Sequence, residues 1–215
     1  MINLNLITKS VKIRNNIRYI LNNISLDIEF GEYIAIVGKS GAGKSTLLNI
    51  LSGIDKQTYG DYFFNHQKIA TNKQRNELIR NECSMIMQNF ALVENMTVFQ
   101  NLLLRKNDKV RAQALLQQFE IDSIKNQKIK NCSGGEKQRT AIARALISDC
   151  CVLLADEPTG ALDSDSSKQI REILKRLNDS GITIILVTHD YEFSLDAKRI
   201  ITLQDGRIVS DEINH

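Results

Sequence analysis

Apolar side chains recur along this chain with three different spacings, and each spacing predicts a different element. Ile2, Leu4 and Leu6, and again Ile24, Leu26 and Ile28, are apolar at every second position. That is the period of a strand with one face in the core and one in water, so the chain is expected to open with antiparallel strands, and Gly31-Glu32 supplies a turn after them. Residues 33–37 are apolar at every position, as expected of a strand buried on both faces. Apolar runs return at 83–87, 151–155, 183–187 and 199–203, interrupted only by Ser84, Thr183, Arg199 and Thr202. Helical spacing fills 47–51, 135–148 and 166–178. Residues 89–133 contain neither glycine nor proline and keep a helical period through Val110, Ala114 and Phe119, which predicts a helical insertion.

Buried strands alternating with helices imply a mostly parallel α/β sheet sandwiched by helices, with ligands outside the carboxyl ends of the strands. Gly206 marks a hairpin turn near the end. There is no internal repeat, low-complexity tract or interdomain linker. The expectation is one domain over residues 1–215, with an antiparallel N-terminal β-subdomain and a helical subdomain at about 89–133.

Composition narrows the partners. The 215 residues are 42% hydrophobic, enough for a sizeable core, and 28 basic against 25 acidic residues leave a formal charge of only +3. So balanced a chain presents no nucleic-acid or lipid-headgroup surface. No stretch reaches the roughly 18 to 20 apolar residues of a membrane span, and the first ten lack the shape of a secretion signal. A soluble cytosolic chain is expected. Cys83, Cys132, Cys150 and Cys151 form no C-x-x-C pair and read as reduced, packing thiols rather than a metal or redox site.

The first piece of chemistry follows the buried run at 33–37. Gly38, Gly43, Lys44 and Ser45 match G-x-x-x-x-G-K-[ST]. In that motif successive backbone N–H groups wrap phosphates, the lysine reaches the outer ones and the serine hydroxyl holds magnesium. Chance supplies such a match in roughly 1% of chains this long, and here strand, loop and helix fall in the required order. Asp156 and Glu157 end a second buried run, on a strand expected beside the one that carries the loop. Asp156 is then set to reach magnesium and Glu157 to polarise an attacking water; alone, the pair would read equally well as a helix cap. Ser133 and Glu136 have the spacing of a capping box. Gly134 and Gly135 between them cost on the order of 1 kcal/mol each in a helix relative to alanine. A cap has no use for them, whereas bare N–H groups approaching an anion at a helix N-terminus do.

Taken together, the loop Gly38 to Thr46, Gln88, Ser133 to Glu136, Asp156-Glu157, Ala161-Leu162-Asp163 and His189 resemble the nucleotide-binding subunit of an ATP-binding cassette (ABC) transporter, in the family's order and over nearly the whole chain. Residues 155–164 further resemble the branch that serves macrolide exporters, lipoprotein-releasing complexes and antimicrobial-peptide efflux or resistance. The resemblance implies a P-loop NTPase fold of the ABC type, ATP and Mg2+, and two copies meeting head to tail so that the signature of one closes over the nucleotide of the other. It implies a phosphate cradle of Gly38, Lys39, Ser40, Gly41, Ala42, Gly43, Lys44, Ser45 and Thr46, and magnesium held by Ser45, Gln88 and Asp156. Glu157 becomes the general base, with His189 at the terminal phosphate and Gln88 linking the site to the membrane partner. Ser133, Gly134, Gly135 and Glu136 serve the opposite nucleotide and Asp163 the interface.

Three positions depart from the family pattern. Val11 stands where an aromatic residue usually stacks on adenine, leaving the base to an aliphatic surface there or to Tyr19. Cys132 replaces the leucine before Ser133, and Glu136 replaces glutamine. The expected role is ATP hydrolysis that drives a separate permease, with the chain peripheral on the cytoplasmic face of the membrane; the same dimer signalling mechanically through a membrane protein is the alternative. Long coiled coils, zinc cysteine pairs and a second cassette, which DNA- and ribosome-acting relatives carry, are absent. The guanine-reading N-K-x-D is broken by Arg75. A small-molecule kinase leaves Ser133 to Gly135 unexplained.

Overall fold

The computed structural model describes residues 1–14 and 16–214. An antiparallel sheet comes first, with β1 (Ile2–Ile13) and β2 (Asn16–Ile28) paired along their length. Ile2, Leu4, Ile7, Leu21, Ile24, Leu26 and Ile28 turn inward. The expected alternation fails at one point: Leu6 is 55% exposed, and Ile7 takes its place in the core. A register shift between Leu4 and Ile7, with Leu6 at φ 50°, inserts an extra residue and reverses the inward parity. After β3 (Tyr33–Val37) and α1 (Lys44–Leu51), β4 (Tyr59–Phe64) and β5 (Gln67–Lys68) complete this sheet in the order β2-β1-β4-β5. Neither of these last two was legible in the apolar pattern.

Next come α2 (Asn72–Glu77), β6 (Cys83–Ile86), α3 (Val98–Leu103), α4 (Lys109–Gln118) and α5 (Gly134–Ala145). The chain then forms β7 (Val152–Asp156), α6 (Ser164–Asp179), β8 (Thr183–Val187) and α7 (Tyr191–Ser194), and ends with β9 (Arg199–Gln204) and β10 (Arg207–Ile213). The second sheet has the order β10-β9-β3-β8-β7-β6. Every pairing in it is parallel except the terminal β9–β10 hairpin, whose turn residues Asp205 and Gly206 both have positive φ, the twist that suits a two-residue hairpin.

Alternate residues of the central strands feed two separate cores, which is why those strands read as unbroken apolar runs. Tyr33, Ala35, Leu153, Ala155, Ile184 and Leu186 pack with α5, α6 and the helical segment. Ile34, Ile36, Leu154, Ile185 and Val187 pack with α1 and the antiparallel sheet. Within the helical segment the buried ridge is Ala112, Leu115, Leu116 and Phe119, while Val110 is 84% exposed and Ala114 is exposed. Helical spacing was right, but of the three positions only Phe119 faces the core, because the i, i+3, i+4 ridge through Leu115 and Leu116 holds the larger apolar side chains. Cys83, Cys132 and Cys150 are buried, Cys151 is half-buried, and all four are free; burial pushes the Cys151 thiol up to about 12.

One expectation about the sheet is overturned. The strand ending in Asp156 does not lie beside the strand that feeds the glycine loop: β8 is hydrogen-bonded between β3 and β7. The insertion spreads the carboxyl ends of β3, β8 and β7 across the sheet, so that the loop, His189 and the acidic pair approach one space from three strands.

Candidate functional site

The carboxyl ends of these strands open onto a cavity of about 760 Å³, lined by the loop residues Ser40, Gly41, Gly43, Lys44, Ser45 and Thr46, by Gln88, Asp156, Glu157, Val187 and His189, and by Arg18 and Ile20. The loop owes its path to the lack of side chains. A Cβ on Gly38 would run into the Leu203 carbonyl oxygen, and one on Gly43, at φ 102°, would lie 2.8 Å from the Ile20 carbonyl oxygen. Gly43 also starts α1 without a side-chain cap, so the first N–H groups of that helix face the cavity unshielded, an arrangement that favours an anion.

Lys44 is only 8% exposed. Its ammonium donates to the carbonyls of Gly38 at 2.7 Å and Lys39 at 3.1 Å, leaving one of its three donors for a ligand. Asp156 lies opposite. Burial pushes its carboxyl above the ordinary carboxylate value; the Ser45 hydroxyl pulls it down, the Glu157 charge raises it further, and Lys44 lowers it. A half-buried carboxylate beside a serine hydroxyl is a hard-oxygen donor set of the kind magnesium takes.

Glu157 sits at φ 49°, a left-handed conformation that strains a side-chain-bearing residue. Its N–H still donates to Val187 at 2.9 Å, so the β7–β8 ladder runs up to the residue that turns away. The turn aims the carboxylate at His189, whose Nδ1 is 2.8 Å from Glu157 Oε1, while the His189 backbone N–H donates to Oε2 at 3.4 Å. Gln88, just past β6, shares this cavity and reaches toward the turn after Glu157: its Nε2 is 3.9 Å from where a Gly160 Cβ would be.

Ser133, Gly134, Gly135 and Glu136 are not brought to this cavity. They form the start of α5, with the capping box intact: the Ser133 N–H donates to Glu136 Oε2 at 2.7 Å and the Glu136 N–H to Ser133 Oγ at 3.3 Å. The glycines have a packing reason besides the expected one. A Cβ on Gly135 would lie 2.7 Å from Ser166 Oγ, and one on Gly134 would lie 3.1 Å from Leu162 Cδ2. Asp163 caps α6 through the Ser166 N–H at 2.9 Å, and these bonds hold its carboxyl below the usual range. The segment 161–166 thus joins the end of the acidic turn to the start of α5.

Two contributions were invisible in the sequence. Arg144 of α5 donates to the carbonyls of Phe90 at 3.0 Å and Ala91 at 2.5 Å, two consecutive residues with positive φ just after Gln88. Arg18 and Ile20 line the cavity where the base of a nucleotide was expected to meet Val11 or Tyr19. Val11 is the cross-strand partner of Arg18, yet neither it nor Tyr19 is among the lining residues. No pattern of residue types marked Arg18; its place in the cavity wall does.

A glycine loop feeding a helix at the carboxyl end of a parallel strand, with an acidic pair two strands away, defines a P-loop α/β nucleotide-binding protein. Residues 21–160 match the ABC transporter family, and the chain belongs to it. It is 43% identical over 99% of its length to the macrolide export ATP-binding/permease protein MacB of Bdellovibrio bacteriovorus, and 44% identical over 88% of its length to MacB of Escherichia coli strain K12. The chain spans about a third of those proteins, 34% and 31% respectively. Among solved structures, the dimeric bacterial ABC transporter cassette MJ0796 superposes with a TM-score of 0.92 at 36% identity, covering 100% of this chain and 99% of that one. The same cassette in a dimeric post-hydrolysis state bound to ADP and Pi gives 0.91 at 35% identity, again over 100% and 99%. The structure of cbiO1 of Clostridium perfringens, part of the ABC transporter complex cbiONQ, is similar at a TM-score of 0.87 and 26% identity over 99% of this chain and 88% of that one. Among the described residues no helix is long and apolar enough to cross a membrane.

Proposed function

We propose that the chain is an ATP-binding and hydrolysing subunit that works as one domain, with a helical subdomain at about 89–133, and energises a separate membrane permease from the cytoplasmic face. The export of a peptide, a lipoprotein or a hydrophobic antibiotic is the transport role, supported by the likeness to the macrolide export proteins. Two copies act together head to tail, in keeping with the dimeric cassettes that the fold resembles.

In this reading residues 38–46 cradle the phosphates, with Lys44 offering its free donor to the outer ones. Ser45, Asp156 and Gln88 would hold magnesium, which when bound would supply positive charge against the negative charge that builds on those phosphates. Glu157 takes a proton from the attacking water. Its Oε1 is tied to His189, which fixes the carboxylate orientation before water arrives, and orientation of this kind is the main service an enzyme renders to phosphoryl transfer. Ser133, Gly134, Gly135 and Glu136 grip the nucleotide of the other copy, and Asp163 orders the seam between copies.

The observation that carries the reading is the convergence of Lys44, Ser45, Gln88, Asp156, Glu157 and His189 on one cavity from elements far apart in sequence. Glu157→Gln tests it. The variant is expected to bind ATP, to lose about 10² to 10⁴ in hydrolysis as removal of a general base implies, and to accumulate as an ATP-dependent dimer on gel filtration. Near wild-type turnover would remove Glu157 from its role.

A further inference from the structure

We propose that Arg18, rather than Val11 or Tyr19, recognises the base of the nucleotide, by laying its guanidinium plane against the ring face, with Ile20 beside the sugar. The inference rests on the nucleotide reading above and adds the residue that gripped no base in the sequence pattern.

Three features place it. First, Arg18 and Ile20 are the only residues of β2 that line the cavity, among the described residues. Second, β2 is pressed against the phosphate loop at Ile20, whose carbonyl oxygen would lie 2.8 Å from a Cβ on Gly43, and two residues on the Asn22 N–H donates to the Gly206 carbonyl of the β9–β10 turn at 2.8 Å. From that clamp the strand runs away from the loop toward the Ile13–Asn16 end of the hairpin. Two residues at about 3.3 Å each carry Arg18 roughly 6 to 7 Å past Ile20, about the span of a sugar beyond the phosphates. Third, β2 has a bulge here. Lys9 pairs Leu21 and Ser10 pairs Tyr19, so Ile20 is the extra residue, and a bulge beside a site re-aims the side chains around it.

The chemistry of Arg18 suits the task. It is exposed, and no carboxylate among the described residues pairs with it. A guanidinium is flat, delocalised and weakly hydrated, and stacks on planar rings. An aliphatic Val11 offers no such face, and Tyr19 is set by the pleat on the side opposite Arg18.

Calorimetry of the full chain with magnesium distinguishes base from phosphate contact by using ATP and inorganic tripolyphosphate as two probes. Arg18→Ala is expected to weaken ATP by about tenfold, the scale of one lost stacking contact, and to leave tripolyphosphate within about twofold. Arg18→Lys, which keeps the charge and loses the plane, is expected to resemble Arg18→Ala. Equal losses for both probes, rescue by lysine, or full ATP affinity in Arg18→Ala would each overturn the assignment, as would a larger ATP loss in Val11→Ala than in Arg18→Ala. Failure of the wild-type chain to bind ATP at all would instead overturn the nucleotide reading itself. Arg18 is on the surface of a hairpin, so its variants are expected to keep the wild-type circular dichroism spectrum.

Discussion

His189 and Glu157 end neighbouring parallel strands, and the 2.8 Å contact between His189 Nδ1 and Glu157 Oε1 joins the two strand ends across the mouth of the cavity. Their side chains differ sharply in exposure, 69% for the histidine and 13% for the glutamate. The backbone turn at Glu157 aims its carboxylate, and the exposed histidine meets one of its oxygens from the solvent side. His189→Ala is expected to lower ATP turnover by about 10 to 100-fold, at or below the lower end of general acid–base effects. Nucleotide affinity is expected to change by no more than a few fold. A variant with full turnover and lost affinity would assign His189 to binding alone.

Lys44 has a structural task as well as a chemical one. Lys44→Ala removes the donor that satisfies the Gly38 and Lys39 carbonyls. Loss of a buried partner costs about 1 to 3 kcal/mol. Chemical denaturation without nucleotide is expected to register this loss, and calorimetry a collapse of ATP affinity. Unchanged affinity would contradict the cradle.

Asp156 is a charge the fold would rather not bury. Its carboxyl is raised, chiefly by burial, so the folded chain takes up a proton there more readily than the unfolded chain. Its ionisation therefore opposes folding at neutral pH, and that penalty fades as pH falls through the raised value. Asp156→Asn is expected to raise the melting temperature at pH 7 and to lose that advantage in acid, while magnesium-dependent nucleotide binding is lost. Melting curves at several pH values check the sign.

Gly135 tests whether the paired glycines serve packing. Gly135→Ala sets a methyl 2.7 Å from Ser166 Oγ, a clash expected to cost about 1 to 3 kcal/mol. Ser166→Ala removes that oxygen but leaves the Ser166 Cβ at 3.2 Å. The double variant is expected to recover part of the loss in a denaturation cycle. Full additivity would show that the two sites do not touch.

The phosphate loop was legible without coordinates because its chemistry is contiguous: glycines, lysine and serine act through neighbouring backbone and side-chain groups, and the strand and helix around them announce themselves by period. The same holds for the central strands, whose alternate residues face two cores and so appear as unbroken apolar runs, and for the capping box at Ser133 and Glu136. What lay between those segments did not follow from them. That β8 separates β3 from β7, that Ile7 rather than Leu6 enters the core, and that Arg18 and Ile20 of β2 line the cavity each depend on register or on which strand lies beside which. Those choices are made by contacts between residues distant in the chain, where one inserted residue at a bulge reverses the facing of every side chain beyond it. Local order determined the parts and their chemistry; only packing between sheets and strands decided which side chains meet.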